Sequence, residues 1–231
     1  MYDPERPEVY EALGQEALVA IKLALAGANK PVVNCVLDLP SGYGTVLRHL
    51  KAEYQDARLG ACDIDHQAVD FCAETFGAEP IYGSEHPRDV VLQHPWDLIW
   101  CGSLLTHLDA PMWHEFLDFF EQALAPWGVL AFTFHGRPIE MRLRSDVGDH
   151  YIGPEQRAAI LNGYERDGFG FAEYPTTPKQ REERAEPTSY GISLSRPSWV
   201  WSLLEQRPLR PVAYREARWG MQDVVGLMKR G

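Results

Sequence analysis

The segment Asp38-Leu39-Pro40-Ser41-Gly42-Tyr43-Gly44 joins an apolar, β-branched run to a stretch with helical spacing, and its residue types suit ligand binding better than any other in the 231-residue chain. Glycine at such a junction admits positive φ and lets a ligand approach bare backbone, while the first turn of the following helix offers free N–H donors. Asp63 closes the next apolar run, ACDID. A carboxylate at a strand end can accept hydrogen bonds from two ribose hydroxyls, so turn and carboxylate together imply a cofactor that carries a nucleoside. Counting on from Gly42 and Gly44 puts Leu47 where a dinucleotide fold needs a third small residue for close helix–strand packing, which argues against a nicotinamide cofactor. No G-x-x-x-x-G-K-[ST] phosphate loop occurs in the sequence.

Residues of this kind must be held at one edge of a sheet. Leu13, Ala17, Ile21 and Leu25 recur at helical spacing within residues 9–27, with Gly27 as a stop signal. PVVNCVLDLP predicts a strand ending at Asp38, and TVLRHLKAEY a helix through Val46, Leu47 and Leu50. RLGACDID continues as strand, HQAVDFCAETFG as a helix closed by Gly77, AEPIYG as a short strand and WDLIWCGS as a fourth. Asp109 is placed to cap a helix over 110–124, and GVLAFTFHG predicts a fifth strand. The alternation predicts an α/β fold: a parallel sheet covered on both faces, with ligands at the carboxyl ends of the strands. Residues 137–196 break the pattern, with one predicted helix at 154–168, and read as an insertion in a single domain spanning 1–231. SWVWSLLEQ reads as helical, and 211–229 as two β segments around a turn at Trp219-Gly220.

Composition narrows the partners. With 22 Lys+Arg against 33 Asp+Glu the formal charge is −11, a surface that repels phosphate backbones and disfavours nucleic acid. The one basic run, KQREER at 179–184, alternates in sign and reads as a solvated face. No stretch reaches the roughly 18 apolar residues of a membrane span, and the acidic MYDPERPEVYEAL does not resemble an export signal. Cys35, Cys62, Cys72 and Cys101 lie in apolar runs without C-x-x-C spacing, which fits buried thiols rather than disulfides or a zinc site. A cytoplasmic protein with no metal and no membrane partner is expected.

DLPSGYG resembles motif I of the class I S-adenosylmethionine-dependent methyltransferases, D/E-x-G-x-G-x-G, and ACDID resembles their acidic second-strand motif. WDLIWCGSLLTHLD is similar to the fourth-strand motif, and ALAPWGVLAFTFHG to the approach to the fifth strand; the four, in order, cover residues 32–136. The resemblance implies a Rossmann-like, mostly parallel seven-stranded sheet of order 3-2-1-4-5-7-6, with residues 197–229 supplying its closing helix and antiparallel strands. It also implies S-adenosylmethionine as cofactor and methyl transfer to a small molecule. By that resemblance Asp38 and the backbone around Gly42 and Gly44 would hold the methionine part, Asp63 the ribose and Ile64 one face of the adenine. Cys101 and Gly102 would offer carbonyls to the methionine ammonium. Pro40 departs from the pattern by replacing the first glycine, removing an N–H where a strand end tolerates the loss. After the third strand, Gly83-Ser84-Glu85 stands where many relatives place an Asp for the adenine amine, so Ser84 or Glu85 would take its place.

Direct displacement needs alignment in a dry pocket, and a base only where the acceptor is a hydroxyl or ammonium. His135, after the fifth strand, and His107, after the fourth, are the candidates for catalysis, against the simpler role of shaping a strand–helix turn. Trp199, Trp201, Trp219, Tyr151 and Tyr190 could line an acceptor pocket or merely pack, and Arg137 and Arg142 could meet an acidic substrate or lie on the surface. Two other classes share these features: a cofactor-binding protein with a regulatory or scaffolding role, and a nucleotide-cofactor oxidoreductase, against which Leu47 speaks.

Overall fold

The computed structural model describes residues 7–145, 152–175 and 189–231; Tyr151 and the KQREER run lie outside them. Helix α1 (Pro7–Gly27) precedes β1 (Cys35–Asp38), α2 (Leu47–Glu53), β2 (Arg58–Asp63), α3 (His66–Phe76), β3 (Glu79–Tyr82), β4 (Trp96–Cys101), α4 (Ala110–Ala123) and β5 (Leu124–Phe134). Then come α5 (Arg137–Arg144), α6 (Pro154–Asp167), β6 (Phe169–Glu173), β7 (Gly191–Ser195), α7 (Pro197–Leu204), β8 (Leu209–Trp219) and β9 (Gln222–Lys229).

The sheet order is β3-β2-β1-β4-β5-β9-β8. The first five of these strands run parallel, while β9 pairs antiparallel with β5 and with β8. This is the Rossmann-like order expected from the sequence, with the closing pair renumbered because two further strands precede it.

Local chemistry explains the element ends. Asp65 caps α3 by accepting from the Gln67 and Ala68 amides, and Gly77 ends it at φ 68°. Asp109 caps α4 by accepting from the Met112 amide at 3.0 Å. Val36, Leu37, Leu98 and Ile99 have no exposure on either face of the sheet, as central parallel strands require. Val32, included in the expected first strand, is instead 62% exposed and precedes it, since no neighbouring strand reaches that far.

Two cores flank the sheet. Ala17, Ile21 and Ala24 of α1 pack with Leu47, Leu50 and Cys72 of α2 and α3 on one face. Trp113, Phe116, Leu117 and Phe120 of α4 fill the other with Val200 and Leu204 of α7. The valine, leucine, isoleucine and phenylalanine side chains among them each stabilise by about 1.5–3 kcal/mol on burial, so the sheet is a firm platform for its carboxyl edge.

The described residues between 137 and 196 hold more order than their sequence suggests. Besides the expected α6 they contain α5 and an antiparallel pair, β6–β7, joined through a small core of Leu143, Ile160, Tyr164, Ile192 and Leu194. Short strands with the sequences FGFAE and GISLS carry little alternation to read. The pair is tied to the main sheet where the Ser195 amide donates to the His135 carbonyl at 2.9 Å.

Candidate active site

The glycine turn leaves β1 at its carboxyl end and is stitched to both neighbouring strands. The Leu39 amide donates to Trp100 O on β4 at 3.0 Å, and the Ser41 amide to Cys62 O on β2 at 2.9 Å. The Leu39–Pro40 peptide is cis. Gly42 and Gly44 take φ values of 46° and 78°, the left-handed region that glycine enters without strain. At Gly44 a side chain would also collide with the Phe76 ring, 2.4 Å from where its Cβ would stand. Leu47 begins α2 fully buried against the sheet, occupying the space that a dinucleotide fold leaves to a small residue.

Asp63, half-buried at the end of β2, braces this turn. Its Oδ2 accepts from the Gly42 amide at 2.7 Å and its Oδ1 from the Asp65 amide at 3.0 Å. Burial raises its pKa, and the Asp65 and Gly42 amides oppose the rise. A carboxylate has about four lone-pair sites, so both oxygens keep capacity for further donors.

Asp38 is 1% exposed, and neither of its oxygens makes a full hydrogen bond. Burial pushes its carboxyl well above the ordinary range and the charge of Asp63 adds to this, while the Leu47 amide pulls weakly the other way. A buried carboxylate without donors is costly unless a cation or donor is brought to it. The ammonium of an amino-acid moiety lying along the glycine turn meets that need.

Beside Asp63 a cleft opens at the carboxyl edge, lined by Pro40, Asp63, Ile64, Ser84, Glu85 and Leu104, with Leu108 and Phe116 forming an apolar back wall. Gly83 lets β3 close on this cleft: its amide donates to Asp63 O at 2.7 Å, and a Cβ there would lie 2.8 Å from the same backbone. Gly102, after β4, has the indole of Trp100 beneath it at 2.8 Å from a built Cβ, and Cys101 is fully buried, so both present backbone. A more open groove between residues 87–95 and α4 shares Pro87, Val90 and Phe119 with the cleft but contains neither the glycine turn nor Asp63. The sequence reading named Pro40, Asp63, Ile64 and the 83–85 turn and missed Leu104, Leu108 and Phe116; an apolar residue in a turn or on a helix carries no local signal of facing a ligand.

Residues 37–130 match a family model described as "Methyltransferase domain". The match takes in the glycine turn and Asp63 and makes the chain a methyltransferase. Solved structures agree in fold. An S-adenosylmethionine-dependent methyltransferase from Clostridium acetobutylicum is 13% identical with a TM-score of 0.63, the match covering 94% of this chain and 92% of that one. DesVI of Streptomyces venezuelae is 13% identical with a TM-score of 0.61, covering 100% of both chains. A Burkholderia thailandensis 1,6-didemethyltoxoflavin-N1-methyltransferase, solved with bound 1,6-didemethyltoxoflavin and S-adenosylhomocysteine, is 14% identical with a TM-score of 0.57, covering 94% and 79%. Three other similar structures are longer, and the chain spans 52–59% of their length. No curated protein sequence matches the chain.

In this methyltransferase His107 and His135 come together at the carboxyl ends of β4 and β5, their ring centroids 6.3 Å apart. Both Nδ1 atoms donate to carbonyls of β7: His107 to Gly191 O at 2.8 Å and His135 to Ser193 O at 3.0 Å. Donation from Nδ1 fixes the tautomer and leaves each Nε2 as an acceptor. Burial pushes the imidazolium pKa of His135 down to about 3, assisted by His107 and opposed by the Ser193 carbonyl. Burial lowers that of His107 too, against the Gly191 carbonyl. Tyr190 lies 4.9 Å from His107 centroid to centroid, and Tyr174 6.0 Å.

The other aromatic candidates pack elsewhere. Trp199 stacks on Phe169 and meets Trp113 edge-on, Trp201 meets Tyr214, and Trp219 meets Trp100 while donating to Leu13 O. Arg137 pairs with Glu216 at the surface and Arg142 is exposed. Cys62, Cys72 and Cys101 are buried free thiols, and Cys35 is partly buried.

Asp63→Ala removes the clamp on Gly42 and, on the expectation that this carboxylate accepts from the ribose, should lower S-adenosylhomocysteine affinity by about 1–3 kcal/mol in a protein that still folds. Calorimetry reads this directly, and unchanged affinity would place the ribose elsewhere.

Proposed function

We propose that the chain transfers the methyl group of S-adenosylmethionine to an oxygen or nitrogen of a small molecule by direct displacement. The observation that carries this reading is the row of groups along one sheet edge: the orphaned Asp38, the turn at Gly42 and Gly44, Asp63, and the two neutral histidines. The bound cofactor supplies a methyl group on a sulfonium, electrophilic enough to pass to a nucleophile in one step.

The chain's own residues supply position and environment. Asp38 and the carbonyls of Cys101 and Gly102 hold the ammonium, and Asp63 the ribose. Ile64 and Leu104 cover the adenine, whose amine meets Ser84 or Glu85. Residues 137–196 form a cap on the acceptor side, supported by the bonds from β7 to His107 and from Ser195 to His135. His135, with Nε2 unprotonated and only weakly basic, orients the acceptor by accepting a hydrogen bond from it rather than by taking its proton outright, and His107 serves beside it. A small acceptor fits this enclosed edge, as in the toxoflavin enzyme among the similar structures. Among the described residues no helix is long and apolar enough to cross a membrane.

S-adenosylhomocysteine is expected to raise the melting temperature, as a ligand of the native state must, and NAD to leave it unchanged. Stabilisation by NAD alone would sink the proposal. Mass-spectrometric screening of hydroxylated and amino-containing metabolites for a methyl gain then identifies the acceptor; a cofactor that binds and never turns over would favour a regulatory role.

A further inference from the structure

Gln222, the first residue of β9, stands across from Trp219 and beside Asp223, which pairs with Phe134 at the end of β5. Its side chain crosses the carboxyl end of β5, where Nε2 donates to Ser103 Oγ at 3.1 Å. Ser103, at φ 58°, is fixed in turn by its own amide on Thr133 Oγ1 at 2.7 Å. Strands β9 and β5 and the end of β4 thus share a polar floor beside Gly102 and His135. Gln222 is 9% exposed, and its Oε1 has no hydrogen-bond partner among the described residues.

The direction of the hydrogen bonds settles which end of the amide is free. His107 Nδ1 donates to Gly191 O, so its Nε2 is an acceptor, and the Ser103 hydroxyl points its hydrogen there over 3.5 Å. The Ser103 oxygen therefore receives the N–H of Gln222, and Oε1 is left over. Neighbouring Asp223 is satisfied, taking Tyr214 OH at 2.8 Å and the Ala217 amide at 2.9 Å, so it neither needs nor supplies a partner here.

We propose that Gln222 Oε1 marks the point of methyl transfer and positions the acceptor by accepting a hydrogen bond from its nucleophilic N–H or O–H group. The inference rests on the reading of this edge as a methyl-transfer site. It specifies the acceptor class as an amine or hydroxyl compound that still carries a proton when it binds. A group already anionic offers no donor to Gln222, and the neutral imidazoles of His107 and His135 offer it no positive charge.

The test needs no acceptor. Sinefungin carries an ammonium in place of the sulfonium methyl, so it presents N–H donors at the point in question. Wild-type protein should bind it about tenfold more tightly than S-adenosylhomocysteine, the value of one charge-assisted hydrogen bond. Gln222→Leu should abolish that preference while holding S-adenosylhomocysteine affinity within about twofold. Gln222→Glu, which keeps acceptor oxygens in place, should retain or increase it, an outcome that a merely structural role would not give. An equal loss of both ligands in Gln222→Leu would assign the amide to the methionine end of the cofactor and overturn the inference, as would a sinefungin preference that survives the leucine. Failure of the wild type to bind either compound would overturn the cofactor reading and this inference with it.

Discussion

Replacing Asp38 by Asn should make the ligand-free protein more stable at neutral pH and nearly abolish cofactor binding. The carboxyl is buried with no full hydrogen bond among the described residues, and burial holds its pKa well above the ordinary carboxylate range in the folded chain. The folded state therefore binds this proton more tightly than the unfolded state does. Stability from this group is greatest at low pH and is lost as pH rises towards the folded pKa, a cost that the wild type carries and a neutral side chain does not. Asparagine removes that cost, a gain of about 1–3 kcal/mol. With the ammonium of the cofactor in place the account reverses. Removing one member of a buried charge pair costs about 3 kcal/mol or more, beyond a hundredfold in Kd. Thermal melts from pH 4 to 8 should show the mutant's advantage growing with pH, and calorimetry should show S-adenosylhomocysteine affinity collapsing. A mutant that melts earlier and still binds normally would remove Asp38 from the site.

The second large effect is expected at His135. Once an acceptor is known, His135→Ala should lower kcat on the order of 10²-fold, with cofactor affinity barely changed, because a group acting on the acceptor's proton is felt mainly in the transition state. The imidazolium pKa of about 3 means that the ring is neutral throughout ordinary assay conditions. The wild-type rate should therefore show no inflection from this residue between about pH 5 and 8. Stability carries the opposite sign to Asp38. A histidine with a depressed folded pKa contributes stability that is present above about pH 6.5 and is lost as pH falls through about 3. Melting of the wild type should fall more steeply than that of His135→Ala below that upper limit. Full activity of the alanine variant across pH would mean that alignment alone drives the reaction.

The contrast between what was legible and what was not follows from how each feature is encoded. Asp38, Gly42, Gly44 and Asp63 lie at the strand ends where their types and spacing put them, because a tight turn, a capped helix and a strand end each leave a local residue signature. The parallel sheet followed from the alternation, and the strand order from the family resemblance. The β6–β7 pair was not legible, since its strands are five residues each and its pairing partner is set by tertiary contacts. Gln222 was invisible for a related reason: it is polar at the mouth of an apolar strand, and only the crossing over β5 to Ser103 shows where its amide ends. The depressed basicity of His135 likewise depends on burial and on Ser193, which is 58 positions away in the chain.

The two histidines take their orientation from the backbone carbonyls of Gly191 and Ser193 rather than from any side chain of β7. A main-chain contact is indifferent to what the residue carries beyond its Cα, so substitutions along this strand can reshape the neighbouring surface while both rings keep the same tautomer. On the proposed reading of this edge, substitutions in the segment that carries β7 would change which molecule is bound while both rings keep their orientation, so the substrate could vary without a change in how the histidines meet it.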